Sequence, residues 1–444
     1  MVYVLSLFQL FAISFICYTE YKNRSLSIFI WAILLVMYGL PNITDCFVGY
    51  SDYGESVLIE CNLFVIFFCI IYFITRKSVR KSRNNLTSYV LKEELSKRQI
   101  KYYFILLFIA FIIYLAYVYR STGSILGSTW NTIRANALGE EGHVLGNGDF
   151  LYVLYTFVGP VFSAASGLLA YALCTKKTKL WITVLAIQLA YALISRSRSS
   201  LLSILIPFIL FLIFSHNQLN LKIVIRIVLL GLVSVFLVYF LQIIRLAGSL
   251  EAFLDNYSIE YILSGFSNIG TNSSGDLSLR NVFYYFVEHN NDFEGFGTLA
   301  SYRGLLFLPI PSSLSLGLKP ADFAITMGGA WIGNPNNTTF STHPTLFGDC
   351  YGNAGFAGIF LAIFWALFVS VVDRLVDKVH DRSDRVFYIC AICCQYVLIA
   401  RGSVYYSCRI MLIAVMIIWL FRHFVLRVRL RAGKKVYFDN FNNT

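Results

Sequence analysis

Leu180–Phe214 reads LWITVLAIQLAYALISRSRSSLLSILIPFILFLIF, apolar at both ends and interrupted at its centre by Ser195-Arg196-Ser197-Arg198-Ser199-Ser200. As one helix these residues would run roughly 52 Å, against a hydrocarbon core of about 30 Å, and would strand two arginines mid-membrane. As a hairpin they give two short spans, 180–194 and 201–214, with SRSRSS at the turn. The same reasoning divides 387–421 at Arg401-Gly402-Ser403. Each division adds one crossing: the first sets the side on which the long stretch after it lies, and the second the side of the C-terminus.

Composition agrees with a chain that lives in lipid. Hydrophobic residues make up 57% of 444 and charged residues only 14%, with a mean hydropathy of +0.67. A water-soluble protein of this length needs far more polar surface. Apolar runs near 20 residues recur without period-2 alternation, which predicts an all-α, polytopic membrane protein and excludes a closed β-barrel. The first run, Val2 to Thr19, lacks a basic start and an A-x-A site, so it reads as a retained span. Ten cysteines at scattered spacing form no disulfide framework. Cys390, Cys393 and Cys394 share one apolar helix and read as small packing residues rather than metal ligands.

Spans are expected at about 2–19, 26–41, 57–74, 102–119, 150–174, 180–194, 201–214, 223–243, 353–372, 387–400 and 404–421: eleven, within a range of ten to twelve. With the first end outside, 26 of the 36 Lys and Arg residues fall on cytoplasmic segments and 9 on outer ones, Arg409 lying within a span. This is the positive-inside bias, and it explains the net charge of +12 without nucleic acid. The basic run from Arg76 to Lys101 reads as a cytoplasmic loop against anionic lipid. The chain then divides into about eight transmembrane helices (1–244), one large outer loop (245–352), about three further transmembrane helices (353–421) and a basic cytoplasmic tail (422–444). No P-loop and no G-x-G-x-x-G opening a helix after a strand are present, which argues against ATP-driven chemistry.

Channels and simple carriers do not need a block as long as 245–352 on one side, whereas enzymes acting on lipid-anchored substrates often do. Arginine is disfavoured on that side, yet Arg196, Arg198, Arg245 and Arg401 fall at outer span ends, Arg280 and Arg303 lie in the block, and Arg409 lies just inside the last span. Pairing with Asp255, Glu260 or Asp349, or snorkelling to headgroups, explains any one of them. As a group they suit a diphosphate, since guanidinium stays charged and donates bidentate bonds to phosphate oxygens. Glu60, inside the third span, is a candidate partner for one of them. The block also holds His289, Glu288, Asp292 and Glu294 in VEHNNDFEG, best read as a solvated polar turn. His343 and Asp349, six residues apart in STHPTLFGDCYGNAGFAG, are candidate general bases for a hydroxyl. Ala300–Leu318, apolar with a PIP break, is expected to dip into the membrane surface. No H-E-x-x-H, DxD or Ser-His-Asp pattern is present, so no metal or other cofactor is expected.

Three places resemble the O-antigen polymerase (Wzy-type) family, within the wider group that includes the O-antigen ligases. Ser195–Ser200 followed by Leu-Leu is similar to an S-R-S-x-L-L stretch at an outer helix end. Pro309-Ile310-Pro311 with Lys319-Pro320 is similar to an I-P-R…K-P segment, with Ser312 in place of the arginine and Arg303 the nearest substitute. Thr342–Asp349 running into Tyr351–Gly358 is similar to the histidine-to-G-x-x-G approach before the final spans. The resemblance implies a GT-C-like enzyme of the bacterial inner membrane, multi-pass, with its active site facing the periplasm. It implies metal-independent, inverting glycosyl transfer from a glycan on undecaprenyl diphosphate to a lipid-linked repeat unit, with a chain-length regulator as partner. His343 would be the base, with Asp349 second. Arg196, Arg198, Arg245, Arg401 and Arg409, with Arg303, would hold the two diphosphates. An O-antigen ligase is the nearer rival, a lipid-linked oligosaccharide flippase the non-enzymatic one, and a membrane enzyme that caps or acetylates polymer is more distant.

Overall fold

The structure, a computed structural model, describes residues 1–39, 41–42, 53–79, 95, 97–126, 150–214, 221–255, 258–260, 279–308, 318–320, 322–337, 340–379 and 382–426. It is all-helical, with 82% helix and no strand among the described residues. Among the described residues, seven helical stretches are long and apolar enough to cross a membrane: Val2–Lys22, Glu55–Val79, Lys97–Thr122, Phe150–Cys174, Thr178–Ser195, Thr345–Asp377 and Val404–His423. Ile28–Gly39, Ser199–Leu212 and Arg385–Ala400 are apolar but shorter.

Helix α1 (Val2–Lys22) shows why the surroundings must be lipid. It buries Ser6, Gln9 and Glu20 and exposes Leu7, Phe8, Phe11 and Phe15. In water that inside-out polarity would leave a large apolar patch bare. In hydrocarbon it is the favourable arrangement, since polar groups must find partners in the interior.

The chain forms two compact units. The first comprises 1–88, 256–379 and 392–409. In it α1 and α2 (Ile28–Leu34, continued as a π turn to Gly39) precede α3 (Glu55–Val79), and both α1 and a later helix from 361 to 377 pack on α3. Near one end of these helices Arg76 is buried at 5% exposure. Its Nε donates to Glu20 Oε1 at 2.9 Å, and its Nη atoms donate to Glu20 Oε2, Ser25, Ser370 and Asp373. Arg76 therefore belongs inside α3 as the hub of an ion-pair network, not to a loop on the lipid surface. The expected loop began one helical turn too early because a basic residue following an apolar run looks the same in both cases. A second polar cluster joins Ser6, Asn42 and Asn62, with Asn42 donating to Asn62 at 2.7 Å and Asn62 to Ser6 at 3.2 Å.

The second unit comprises 89–255, 380–391 and 410–444. It contains α4 (Lys97–Thr122), α5 (Phe150–Thr156), α6 (Val158–Cys174), α7 (Thr178–Ser195), α8 (Leu202–Phe214), α9 (Leu221–Leu246) and α10 (Leu250–Asp255). Helix α6 is buried along nearly its whole length and carries α4, α7 and α8 around it. Its small residues, Ser163 to Gly167, let neighbouring backbone approach, as expected for packing within a membrane. A Cβ on Gly167 would lie 2.5 Å from Phe387 Cα. The span expected over 150–174 is present as one stretch, Phe150–Cys174, with a one-residue turn at Phe157. Pro160 has no N–H to offer the carbonyl of Thr156, which accounts for the turn just before it.

The helices do break at both expected turns. Helix α7 ends on Arg196 in the left-handed conformation, φ +48°, and a 3₁₀ turn from Arg198 to Leu201 leads into α8. Likewise α16 (Arg382–Ala400) and α17 (Val404–Leu420) are separated at Gly402, φ +93°. Within the block, α11 (Leu279–Glu288), α12 (Ala300–Leu306), α13 (Phe323–Trp331) and α14 (Thr345–Ala354) are short helices, and α15 (Leu361–Asp377) follows. The part of the expected surface-dipping segment that carries Pro309, Ile310 and Pro311 lies outside the described residues.

Candidate active site

The approach to α14 is pinned at both ends of a four-residue stretch. Thr342 N–H donates to Ala324 O of α13 at 3.1 Å, and Thr345 N–H donates to Arg401 O at 3.0 Å. Between them Pro344 confines His343 to extended backbone. Thr345 is fully buried and adopts φ +66°, an outlying conformation for a β-branched residue. Holding it there costs of order 1–3 kcal/mol, which the surroundings must offset. The turn that accepts its hydrogen bond is Arg401-Gly402-Ser403. Gly402 is required at that point: a Cβ would lie 2.7 Å from Thr345 O. Segments more than fifty positions apart, one bearing His343 and the other Arg401, are thus clasped backbone to backbone.

Asp349 lies on α14 and is buried. Its Oδ2 accepts from Ser301 Oγ at 3.0 Å and its Oδ1 from Asn353 Nδ2 at 3.2 Å. Asn353 Oδ1 in turn accepts the Ser301 N–H at 3.0 Å. One residue on in each helix, Tyr302 Oη meets Cys350 Sγ at 3.2 Å and accepts from Trp365 Nε1 at 3.0 Å. Burial pushes the Tyr302 hydroxyl well above its usual range, so it stays protonated. Asp349 Oδ2 and Asn353 Oδ1 therefore hold α12 onto α14 through Ser301, while Asp349 Oδ1 fixes Asn353 within α14. None of this is legible in the chain alone, because Ser301 and Asn353 are ordinary polar residues until their spacing in three dimensions is known.

Four cationic residues of the first unit, Arg303, Lys319, Arg401 and Arg409, lie on segments at or beside the start of α17. Arg303 is exposed on α12, and its neighbour Gly304 packs so closely that a Cβ would lie 3.1 Å from the Tyr405 ring. Lys319 Nζ stands 5.9 Å from the centroid of the same ring, within cation–π range. Arg401 is four residues before Tyr405, and Arg409 is half-buried one turn after it. Lys319 entered the sequence reading only as half of a Lys-Pro pair. Glu60, expected to pair with an arginine, instead accepts from Tyr351 Oη at 3.0 Å.

Arg196, Arg198 and Arg245 belong to the second unit. Arg196 is 1% exposed and its Nη1 donates to Gly248 O at 2.8 Å. Gly248 N–H donates to Arg245 O at 3.1 Å, so both arginines meet at the turn between α9 and α10. Burial lowers the pKa of Arg196, with Tyr114 opposing the shift; guanidinium nonetheless stays charged. Beside it lies a tyrosine group in which Tyr117 stacks on Tyr155 at 3.9 Å and Tyr114 meets Tyr191 edge-on at 4.8 Å. Arg198 sits in the 3₁₀ turn two residues on.

The VEHNNDFEG residues Glu288, His289, Asp292 and Glu294 are exposed. Among the described residues no three His, Cys, Asp or Glu side chains are grouped so as to hold a metal ion. Compared with protein-family models, curated proteins and solved structures, the chain matches none.

Proposed function

We propose that the protein polymerises lipid-linked oligosaccharide repeat units on the outer face of a bacterial inner membrane. In this reading the chain crosses the membrane about eleven times and the block from 245 to 352 faces the periplasm. The growing glycan on undecaprenyl diphosphate is the donor. A hydroxyl of the acceptor repeat attacks the anomeric carbon, the bond to the diphosphate breaks, and configuration inverts.

The observation that carries the reading is the clasp between Thr345 and Arg401. It fixes a histidine, able to take the hydroxyl proton, close in the fold to an arginine turn able to receive a diphosphate leaving group. Guanidinium groups held in place stabilise the charge developing on that diphosphate without reorganising during reaction. Arg303 and Arg409 would complete the first group of cations, and Arg196, Arg198 and Arg245 a second. Asp349 is better suited to positioning, since its oxygens are occupied by Ser301 and Asn353.

The test is a gel of surface polysaccharide from a strain lacking the gene, complemented with wild type, His343→Ala or Arg401→Ala. The deletion and both variants should keep the single-repeat product and lose the ladder, with the variant proteins still in the membrane. Loss of even the single repeat would identify a ligase. Loss of all outer repeat would identify a flippase. A full ladder in the deletion would refute the reading.

A further inference from the structure

The exposed side of the block carries an aromatic surface that the proposed chemistry does not use. Tyr285 on α11 is half-buried, and its ring meets Trp331 at the end of α13 edge-on at 5.1 Å. Phe293 stacks against Tyr285 at 5.6 Å, and the exposed His289 ring lies 4.2 Å from it. The surface is held rigid from below. Phe293 packs on Phe286 and Phe296, and Phe296 packs on Phe323. Asn290 and Asn291 both take left-handed backbone, φ +51° and +61°, and Asn291 Nδ2 donates to Gly352 O at 3.3 Å. Gly297 N–H also donates to Gly352 O, at 3.0 Å, tying the surface to α14.

Its rim is acidic. Glu288, Asp292 and Glu294 are exposed, and no Lys or Arg occurs between Asn281 and Tyr302. An anionic membrane surface or an acidic polymer would be repelled there. Fixed aromatic faces carry partial negative charge and receive the C–H faces of sugar rings, with little ordering cost on the protein side. Carboxylates and amides at the rim accept and donate hydrogen bonds to sugar hydroxyls and bind amino groups.

We propose that this surface is a binding site for a glycan chain of neutral or amino sugars, separate from the reacting groups. Its place on the outer side rests on the function proposed above, and it would hold product polymer between additions. The experiment uses the purified full-length protein in detergent and, as probe, the surface polysaccharide of the bacterium that carries the gene. Saturation-transfer NMR should show contact with aromatic protons. Trp331→Ala with Tyr285→Ala should weaken binding about tenfold or more. Glu288→Ala with His289→Ala alters exposed side chains only; it should weaken binding several-fold and guards against misfolding of the first pair.

In cells both pairs should leave the ladder present but shift it to shorter chains. Unchanged affinity and unchanged chain length in both pairs would overturn the site while leaving the polymerase reading intact. A full ladder in the deletion strain, with binding still lost in the variants, would overturn that reading and leave the site. Association of the protein with phosphatidylglycerol vesicles, or self-association, that is lost in the Trp331 pair while polysaccharide is not bound would overturn the proposal in favour of those occupants.

Discussion

Replacing Gly402 by alanine should open the clasp, and the size of the effect can be worked from its geometry. The added Cβ would lie 2.7 Å from Thr345 O and 2.9 Å from Thr345 N. Both are backbone atoms, so no rotamer change relieves the contact. The φ of +93° adds a penalty of its own, about 1–2 kcal/mol for an L side chain in left-handed backbone. Moving the turn away breaks the bond from Thr345 N–H to Arg401 O, and an orphaned buried donor costs about 1–3 kcal/mol. The total is on the order of 2–5 kcal/mol, a large part of a typical stability of about 5–15 kcal/mol. Gly123→Ala is the control: it also has positive φ, +73°, but nothing lies within 4 Å of its added Cβ. The difference between the two variants isolates the clash and the lost bond from the backbone term. The shift should also displace Arg401 relative to His343, and a misplacement of about 1 Å can reduce rate about 10²-fold. Thermal melting in detergent and the polysaccharide ladder at matched protein level are the readouts. Melting at the same temperature as Gly123→Ala, with a full ladder, would refute the clasp.

Other perturbations test the rest of the fold and site. Arg76→Ala leaves Glu20 and Asp373 facing each other without their shared guanidinium, so it should destabilise by about 3–5 kcal/mol, and adding Glu20→Gln with Asp373→Asn should recover part of the loss in the same melt. Gly167→Ala drives a Cβ to 2.5 Å from the Phe387 backbone and should cost about 1–3 kcal/mol. Gly231→Ala, in open space on α9, should instead be neutral or stabilise by about 0.5–1 kcal/mol. Asp349→Ala frees Ser301 and Asn353 and should lower stability by about 1–3 kcal/mol, whereas His343→Ala should abolish polymer at a smaller cost in stability. Equal loss of stability in those two variants would remove the distinction between a positioning carboxylate and a reacting histidine.

The sequence made the helix ends legible and left the interior contacts hidden, for one physical reason. Charged turns such as SRSRSS and Arg401-Gly402-Ser403 cannot sit in hydrocarbon, so they mark breaks whatever the tertiary structure. Pro160 marks only a one-residue turn at Phe157, and the expected span runs through it as Phe150–Cys174. Which face of a membrane helix points inward is harder, since lipid and protein interior are both apolar. In α1 the inward residues are Ser6, Gln9 and Glu20, scattered among phenylalanines that face outward. Nothing in α1 alone says that Glu20 meets Arg76 of α3 and that both join Asp373 of α15. Asp349 is the same case at the site, where its partners lie four residues away and 48 residues away.

Thr345 bears on why the clasp exists at all. A fold under selection for stability alone would place glycine or asparagine at φ +66°, where a β-branched side chain is strained. Strain of this kind persists where the surroundings over-determine the backbone, and here they do. Thr342 is tied to Ala324, Thr345 to Arg401, and Gly402 leaves no room between the segments. A loosely held histidine would need none of these three. If His343 must take a proton from a hydroxyl while cations receive a diphosphate a few ångströms away, the two cannot drift apart between turnovers. A rigid path from the histidine to the arginine turn, running through backbone rather than flexible side chains, meets that requirement. Thr345→Gly should then relieve strain and stabilise the protein, while loosening His343 and lowering turnover. A variant that gains stability and keeps full turnover would show that the strain is incidental.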